Sequence, residues 1–175
     1  MSEQELIKEI QSGNQTAFKD LYDKYFDYAI RVATIVMNRQ ATYAGDAVQE
    51  TFIRVYQNIH LYEGDRPFKP WFYKILINEC NRILKKNSKV VSVAEIIERE
   101  QTQTDHDFVE YEDLYDAIKG LEPHNRIPIV LKYLNGFKEQ EIANILEENV
   151  NTIKSRLFKG RQKLKQFLEA KKEAN

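Results

Sequence analysis

Between Asn151 and Lys165 the chain carries six cations, Lys154, Arg156, Lys159, Arg161, Lys163 and Lys165, and no acid. On a helical wheel at about 100° per residue, Ile153, Leu157, Gly160 and Leu164 share one face. Asn151, Ser155, Phe158, Lys159 and Gln162 share the opposite face, with Lys154 and Arg161 flanking it on one side and Arg156 and Lys163 nearer the packed face, where long stems could reach phosphates. Amides and hydroxyls of this kind read base edges, cations grip phosphates, and an outward phenylalanine suits a thymine methyl. A solvated helix face can look the same by charge alone. The segment before it, EQEIANIL, and a turn of four residues complete a helix-turn-helix, whose second helix enters a major groove.

A second basic row lies in PWFYKILINECNRILKK. Phe72, Tyr73, Leu76, Ile77, Cys80, Ile83 and Leu84 cluster on one side; Trp71, Lys74, Ile75, Asn78, Arg82, Lys85 and Lys86 share the other. Aromatic side chains beside cations suit single-stranded DNA. The preceding loop adds Tyr62, Arg66, Phe68 and Lys69, which could cup an extruded base. Trp71 has two readings, a stacking platform or a member of a satellite core. A third face, on GDAVQETFIRVYQNI, sets Ile53 among Asp46, Gln49, Glu50 and Gln57 and opposes Ala44, Val48, Phe52, Val55 and Ile59. An exposed branched aliphatic among acids and amides has the look of a protein-docking surface, although one such residue is common on any surface.

The elements that must hold these residues are all helices. Ser2 with Glu5 reads as a capping box, Gly13 as a stop and Asn14 as the next cap. Apolar periodicity then runs to about Asn38. A third helix spans about Tyr43 to Ile59, the loop Leu61 to Phe68 follows, and a fourth helix, with Pro70 in its first turn, reaches about Lys86. Four more are expected near Phe108 to Lys119, Pro123 to Leu134, Lys138 to Leu146 and Asn151 to Ala170. Pro128 predicts a kink or a late start in the second of these. Residues 89–106 read as a flexible acidic linker, since from Lys89 to Glu112 there are seven acids against two bases. The expected architecture is all-α, with domains at 1–88 and 107–175.

The totals agree. The 175 residues suit one domain or two small ones, and the net charge of −1 conceals the acidic middle and basic end. The single cysteine, Cys80, rules out an internal disulfide and suits a reducing cytosol. No apolar run approaches a membrane span, and the N-terminus does not read as a secretory signal. His60, His106 and His124 are scattered, with no metal-ligand spacing and no phosphate-binding glycine loop, so no enzyme activity, cofactor, metal or small-molecule substrate is expected.

AFKDLYDKYF, GDAVQETFIRVY and PFKPWFYKILINECNRILKK resemble the promoter-melting domain of extracytoplasmic-function RNA polymerase sigma factors of the sigma-70 family. AIKGLEPHNRIPIVLKYLNGFKEQEIANILEENVNTIKSRLFKGRQKL resembles their second domain. In order, and with a linker between, the two cover nearly the whole chain. The resemblance implies a cytoplasmic sigma2-like and sigma4-like protein that directs initiation and catalyses nothing itself. Its partners would be core RNA polymerase, through the largest and second-largest subunits, promoter DNA, and an anti-sigma factor, often membrane-bound. Asp46, Gln49, Glu50 and Ile53 would grip the polymerase. Tyr62, Arg66, Phe68, Lys69, Trp71, Lys74, Asn78, Arg82 and Lys85 would serve the −10 element. Asn151, Thr152, Lys154, Ser155, Arg156, Phe158 and Lys159 would serve the −35 element. Where the family often has glycine and then an aliphatic in the helix-turn-helix turn, this chain has Glu147 and Glu148, so a different or looser turn is expected. Gly160 stands where alanine is frequent, at some expected cost in helix stability. A stand-alone helix-turn-helix regulator is the rival reading, one that would tend to dimerise on a palindrome and would not need the DAVQETF face.

Overall fold

The computed structural model describes residues 1–88 and 112–174, and every regular element among them is a helix. The acidic segment 89–106 and the expected helix start at Phe108 lie outside the described residues. The chain divides into two compact units, Met1–Leu84 and Lys85–Asn175.

In the first unit α1 spans Glu3–Gln11, α2 Gln15–Met37 and α3 Ala44–Asn58, and α4, Phe68–Ser88, belongs to it as far as Leu84. Local chemistry sets the starts. Ser2 Oγ accepts from the Glu5 N–H at 3.2 Å while Glu5 Oε2 accepts from the Ser2 N–H at 2.7 Å, which satisfies two orphan donors reciprocally. Asn14 Oδ1 accepts from the Thr16 and Ala17 N–H groups. Gly13 turns the chain between α1 and α2 at φ +96°, a conformation that a side chain would strain. Short 3-10 turns, Asn38–Tyr43 and Ile59–Leu61, flank α3.

The core between α2, α3 and α4 is aromatic. Tyr25 and Phe72 ring centroids lie 4.7 Å apart, Phe52 and Phe72 5.3 Å, and Tyr22 and Phe52 4.6 Å. These rings meet at tilts of 46°, 56° and 45°, and aromatic pairs at such spacings add to simple burial. Tyr25 also donates its hydroxyl to Glu3 at 2.7 Å, tying α2 to α1; burial and then that hydrogen bond push its phenol pKa upward.

In the second unit α5 spans Glu112–Lys119, α6 Pro123–Tyr133, α7 Glu139–Leu146 and α8 Val150–Ala174. Ile129, Leu131, Ile142, Ile153 and Leu157 are fully buried. Arg126 is buried as well, and its Nη1 donates to the carbonyls of Leu121 at 2.8 Å and Lys119 at 3.3 Å. It thereby takes up carbonyls at the C-terminal end of α5 that no helical N–H can reach. Burial lowers its guanidinium pKa.

Pro128 does not delay the start of α6, one of the two outcomes predicted for it from the sequence. The helix runs continuously through it from Pro123. The N–H that proline lacks would have met the carbonyl of His124, in the exposed first turn, where water can serve instead.

Candidate polymerase-docking and nucleic-acid surfaces

Helix α8 is held by α6 and α7 through Ile153, Leu157 and Gly160, which are buried. Asn149 caps it, its Oδ1 accepting from the Asn151 N–H at 2.8 Å. That register turns Asn151, Lys154, Ser155, Phe158 and Lys159 outward, all exposed, with Thr152 and Arg156 at intermediate depth. Phe158 is 55% exposed although it lies one residue beyond the core's Leu157. His124 and Asn125 from the first turn of α6 join Asn151, Thr152, Ser155, Arg156 and Lys159 around one polar hollow.

The turn that aims α8 contains a local conflict. Glu147 adopts φ +55°, ψ +42°, the left-handed conformation, and the N–H groups of Glu147 and Glu148 both return to the Ala143 carbonyl. The turn therefore keeps the geometry a glycine would favour, and the expectation of a different or looser turn is corrected. The backbone hydrogen bonds decide the conformation and the glutamate bears the strain. Glu147→Gly is expected to raise the stability of this unit by about 1 kcal/mol, read as a higher urea midpoint at unchanged m-value. Glu148, next along, pairs with Arg156 at 3.2 Å and so draws one cation toward the turn.

On α4, Phe72, Tyr73, Leu76, Ile77, Cys80 and Ile83 are buried and Asn78, Arg82, Lys85 and Lys86 exposed, while Trp71 and Lys74 lie between. Burial, then the Glu79 charge, pushes the Cys80 thiol up to about 12, so it stays protonated and inert. Two residues assigned to the base-cupping loop lie elsewhere. Phe68 and Tyr62 are both buried, 5.5 Å apart ring to ring, and Phe68 meets Tyr25 edge-on at the same distance. They are core residues that anchor the loop, because α4 begins at Phe68 itself and its first turn faces inward. Tyr62 donates its hydroxyl to the Arg66 carbonyl across the loop. Arg66 is exposed, Lys69 is partly so, and Trp71 packs against both Tyr62 and Phe68 at 5.4 and 5.5 Å. Trp71 therefore lies between core and surface, packed on two core rings and partly exposed.

Glu79 was missed in the sequence. It is 4% exposed, and its carboxylate binds Arg54 of α3 through Oε1 and Arg82 through Oε2, the latter at 2.7 Å. The hydrogen bond and charge of Glu79, and more weakly the charge of Glu50, push the Arg82 guanidinium pKa further up.

On α3, Asp46, Gln49 and Ile53 are exposed and Glu50 is partly so. Gln49 and Ile53 line an open groove of about 680 Å³ with Gln15, Phe18 and Tyr22 from α2 and Phe52, Tyr56 and Gln57 from α3. The α2 wall belongs to the apolar periodicity that runs to about Asn38. Phe18 and Tyr22 are only half-buried, and Phe18 meets Tyr56 edge-on at 5.0 Å.

Comparison with known proteins identifies the family. The family model "Sigma-70 region 2" matches residues 21–90, and "Sigma-70, region 4" matches residues 111–164. The ECF RNA polymerase sigma factor SigW of Bacillus subtilis is 33% identical over 180 residues, covering 93% of this chain and 94% of its own length. The ECF RNA polymerase sigma-E factor of Haemophilus influenzae is 26% identical, over 97% of this chain and 96% of its own. Among solved structures, CnrH in complex with the cytosolic domain of CnrY aligns at a TM-score of 0.70 and 24% identity, covering 95% of this chain and 97% of that one. The sigma factor RpoE in complex with the anti-sigma factor NepR from Bartonella quintana aligns at 0.71 and 24%, covering 86% and 98%. The near-complete coverage by SigW at that identity, with both family segments in order, places this chain in the ECF RNA polymerase sigma factors.

Proposed function

We propose that the three exposed surfaces divide the work of a sigma factor, which directs promoter-specific initiation by RNA polymerase. The α8 row of Asn151, Thr152, Lys154, Ser155, Arg156, Phe158 and Lys159 lies in the major groove of a −35 element. The α4 row of Trp71, Lys74, Asn78, Arg82 and Lys85, with Arg66 and Lys69, holds the opened −10 strand. The α2–α3 groove, with Asp46, Gln49, Glu50 and Ile53, receives a polymerase helix. The observation that carries the reading is Phe158, more than half exposed on a helix that buries its neighbour Leu157 completely, and flanked by Lys154, Ser155 and Lys159. A lone exposed aromatic would be ordinary, but one set in a row of cations and a hydroxyl on the second helix of a helix-turn-helix suits a thymine methyl in a major groove. The stand-alone regulator explains α8 but leaves the groove on α2 and α3 without a purpose. An anti-sigma partner, soluble or held at a membrane, would compete for one of these surfaces; the two similar structures named above are each bound to a protein partner, one of them an anti-sigma factor.

Transcription in vitro with core polymerase over a promoter panel tests the division. Lys154→Ala is expected to lower use of promoters that depend on a −35 box and to reduce the slope of log affinity against log salt by about one. Core association should not change. Loss of core association with unchanged promoter choice would refute the assignment.

A further inference from the structure

We propose that Glu79 is a positioning residue that aims the Arg82 guanidinium at the phosphates of the bound −10 strand. This rests on the reading of α4 as the −10 surface. A carboxylate close to a DNA-binding row is an electrostatic liability: by Coulomb's law alone it should weaken the site. Its placement gives it another role. Each oxygen is committed to a different arginine, Oε1 to Arg54 on α3 and Oε2 to Arg82 on α4, so the group cannot rotate. It is nearly sealed from solvent, at 5% side-chain exposure, whereas Arg82 is 46% exposed. Burial strengthens the hold, because water screens it little.

Arg82 spends Nε on Glu79, at 2.7 Å. Nη1 and Nη2 are left to carry the fork that matches a phosphate bidentately. A long side chain with several free torsions would otherwise lose that freedom on binding. Glu79 restricts it beforehand, at one end of the guanidinium, and leaves the other end for the ligand. Arg54 fixes the carboxylate against the neighbouring helix, so the aim of Arg82 is set by the packing of α3 on α4 and not by α4 alone.

The two roles, neutraliser and aimer, predict opposite signs. The test uses holoenzyme assembled from core polymerase and the full chain, with a promoter probe whose −10 segment is held open by mismatches, and reads affinity at several salt concentrations. Glu79→Gln is expected to weaken binding about tenfold, although it makes the surface more positive. In an Arg82→Ala background the same change should cost nothing further. Arg82→Lys, at an exposed position safe for folding, should lose nearly as much as Arg82→Ala, because an ammonium cannot hold Glu79 and fork a phosphate together. Tighter binding with a steeper salt slope for Glu79→Gln would make it a neutraliser and overturn the proposal. So would equal losses in both backgrounds, or full activity of Arg82→Lys. If neither Asn78→Ala nor Arg82→Ala changes probe binding, the −10 reading itself fails. If both do and Glu79→Gln does not, only the aiming role fails.

Discussion

Gly160→Ala is expected to destabilise the second unit by about 1–3 kcal/mol, the opposite of what helix propensity foretells. In an open helix interior alanine is better than glycine by about 1 kcal/mol. Here a Cβ built on Gly160 would lie 2.8 Å from Ile129 Cγ1 and 3.0 Å from its Cδ1. Ile129 is 1% exposed, in the interior where α6 meets α8, so it has no empty space to enter. Its Cγ1 is a branch near the backbone, not a flexible tip. The glycine is what lets the two helices approach, and the exposed row of α8, from Asn151 to Lys159, is aimed by that approach. Circular dichroism should show the unit's melting fall by roughly 5–15 °C. Trp71, the one tryptophan, lies in the first unit, so its fluorescence transition should stay in place. Ile129→Ala alone should also destabilise, by a cavity. The double variant should cost clearly less than the sum, because the new methyl fills space the isoleucine vacated. A rise in melting temperature on Gly160→Ala would refute the contact.

Gly160 also marks where sequence reading reaches its limit. The wheel placed it on the packed face of α8, and it is buried there. The wheel could not say what it packs against, so its conservatively read cost was to propensity alone. Glu79 failed differently. By residue type a glutamate belongs outside, and its pairing with two arginines, Arg82 on its own helix and Arg54 on another, makes its burial tolerable. Phe68 and Tyr62 were placed in a DNA-contacting loop because aromatics near cations suit nucleobases; helix α4 starting at Phe68 turns the first of them inward. Where one helix decides the outcome, the sequence was sufficient. The capping box at Ser2 and Glu5, the inward and outward faces of α3 and α8, and the outward Phe158 all follow from periodicity of about 3.6 residues and from cap chemistry. Glu147 shows the same boundary from the other side. Its type argued against a left-handed turn, but two backbone hydrogen bonds to Ala143 outweigh about 1 kcal/mol of strain.

Removing the apolar anchors of the α2–α3 groove is expected to cost the polymerase complex more than any single loss on the DNA-facing rows. Ile53 and Tyr56 are 48% and 53% exposed, on the rim and wall of a groove whose floor is Phe52 and Tyr22. A helix laid there would bury both, and buried aromatic or aliphatic anchors near the centre of an interface carry most of its energy. The groove lining supplies Gln49 and Gln57, and Asp46 is exposed about one turn before Gln49 on α3, which suits a partner with basic and amide side chains. Tyr56→Ala should therefore weaken binding to core polymerase by about 30-fold, the size of a 2 kcal/mol hot spot. Ile53→Asp should weaken it further, since it sets an unpaired charge against an apolar partner. Asp46→Ala, at that solvated position, should change the association rate and its salt dependence more than the final affinity. Neither Ile53 nor Tyr56 belongs to the sealed core, so melting of the free protein should move little. Transcription from a strong promoter should recover when either variant is supplied in excess, because the exposed rows of α4 and α8 proposed to hold DNA are untouched. Unchanged affinity for core polymerase in both Tyr56→Ala and Ile53→Asp would remove the groove from the docking surface and leave its aromatic wall to be explained by another ligand.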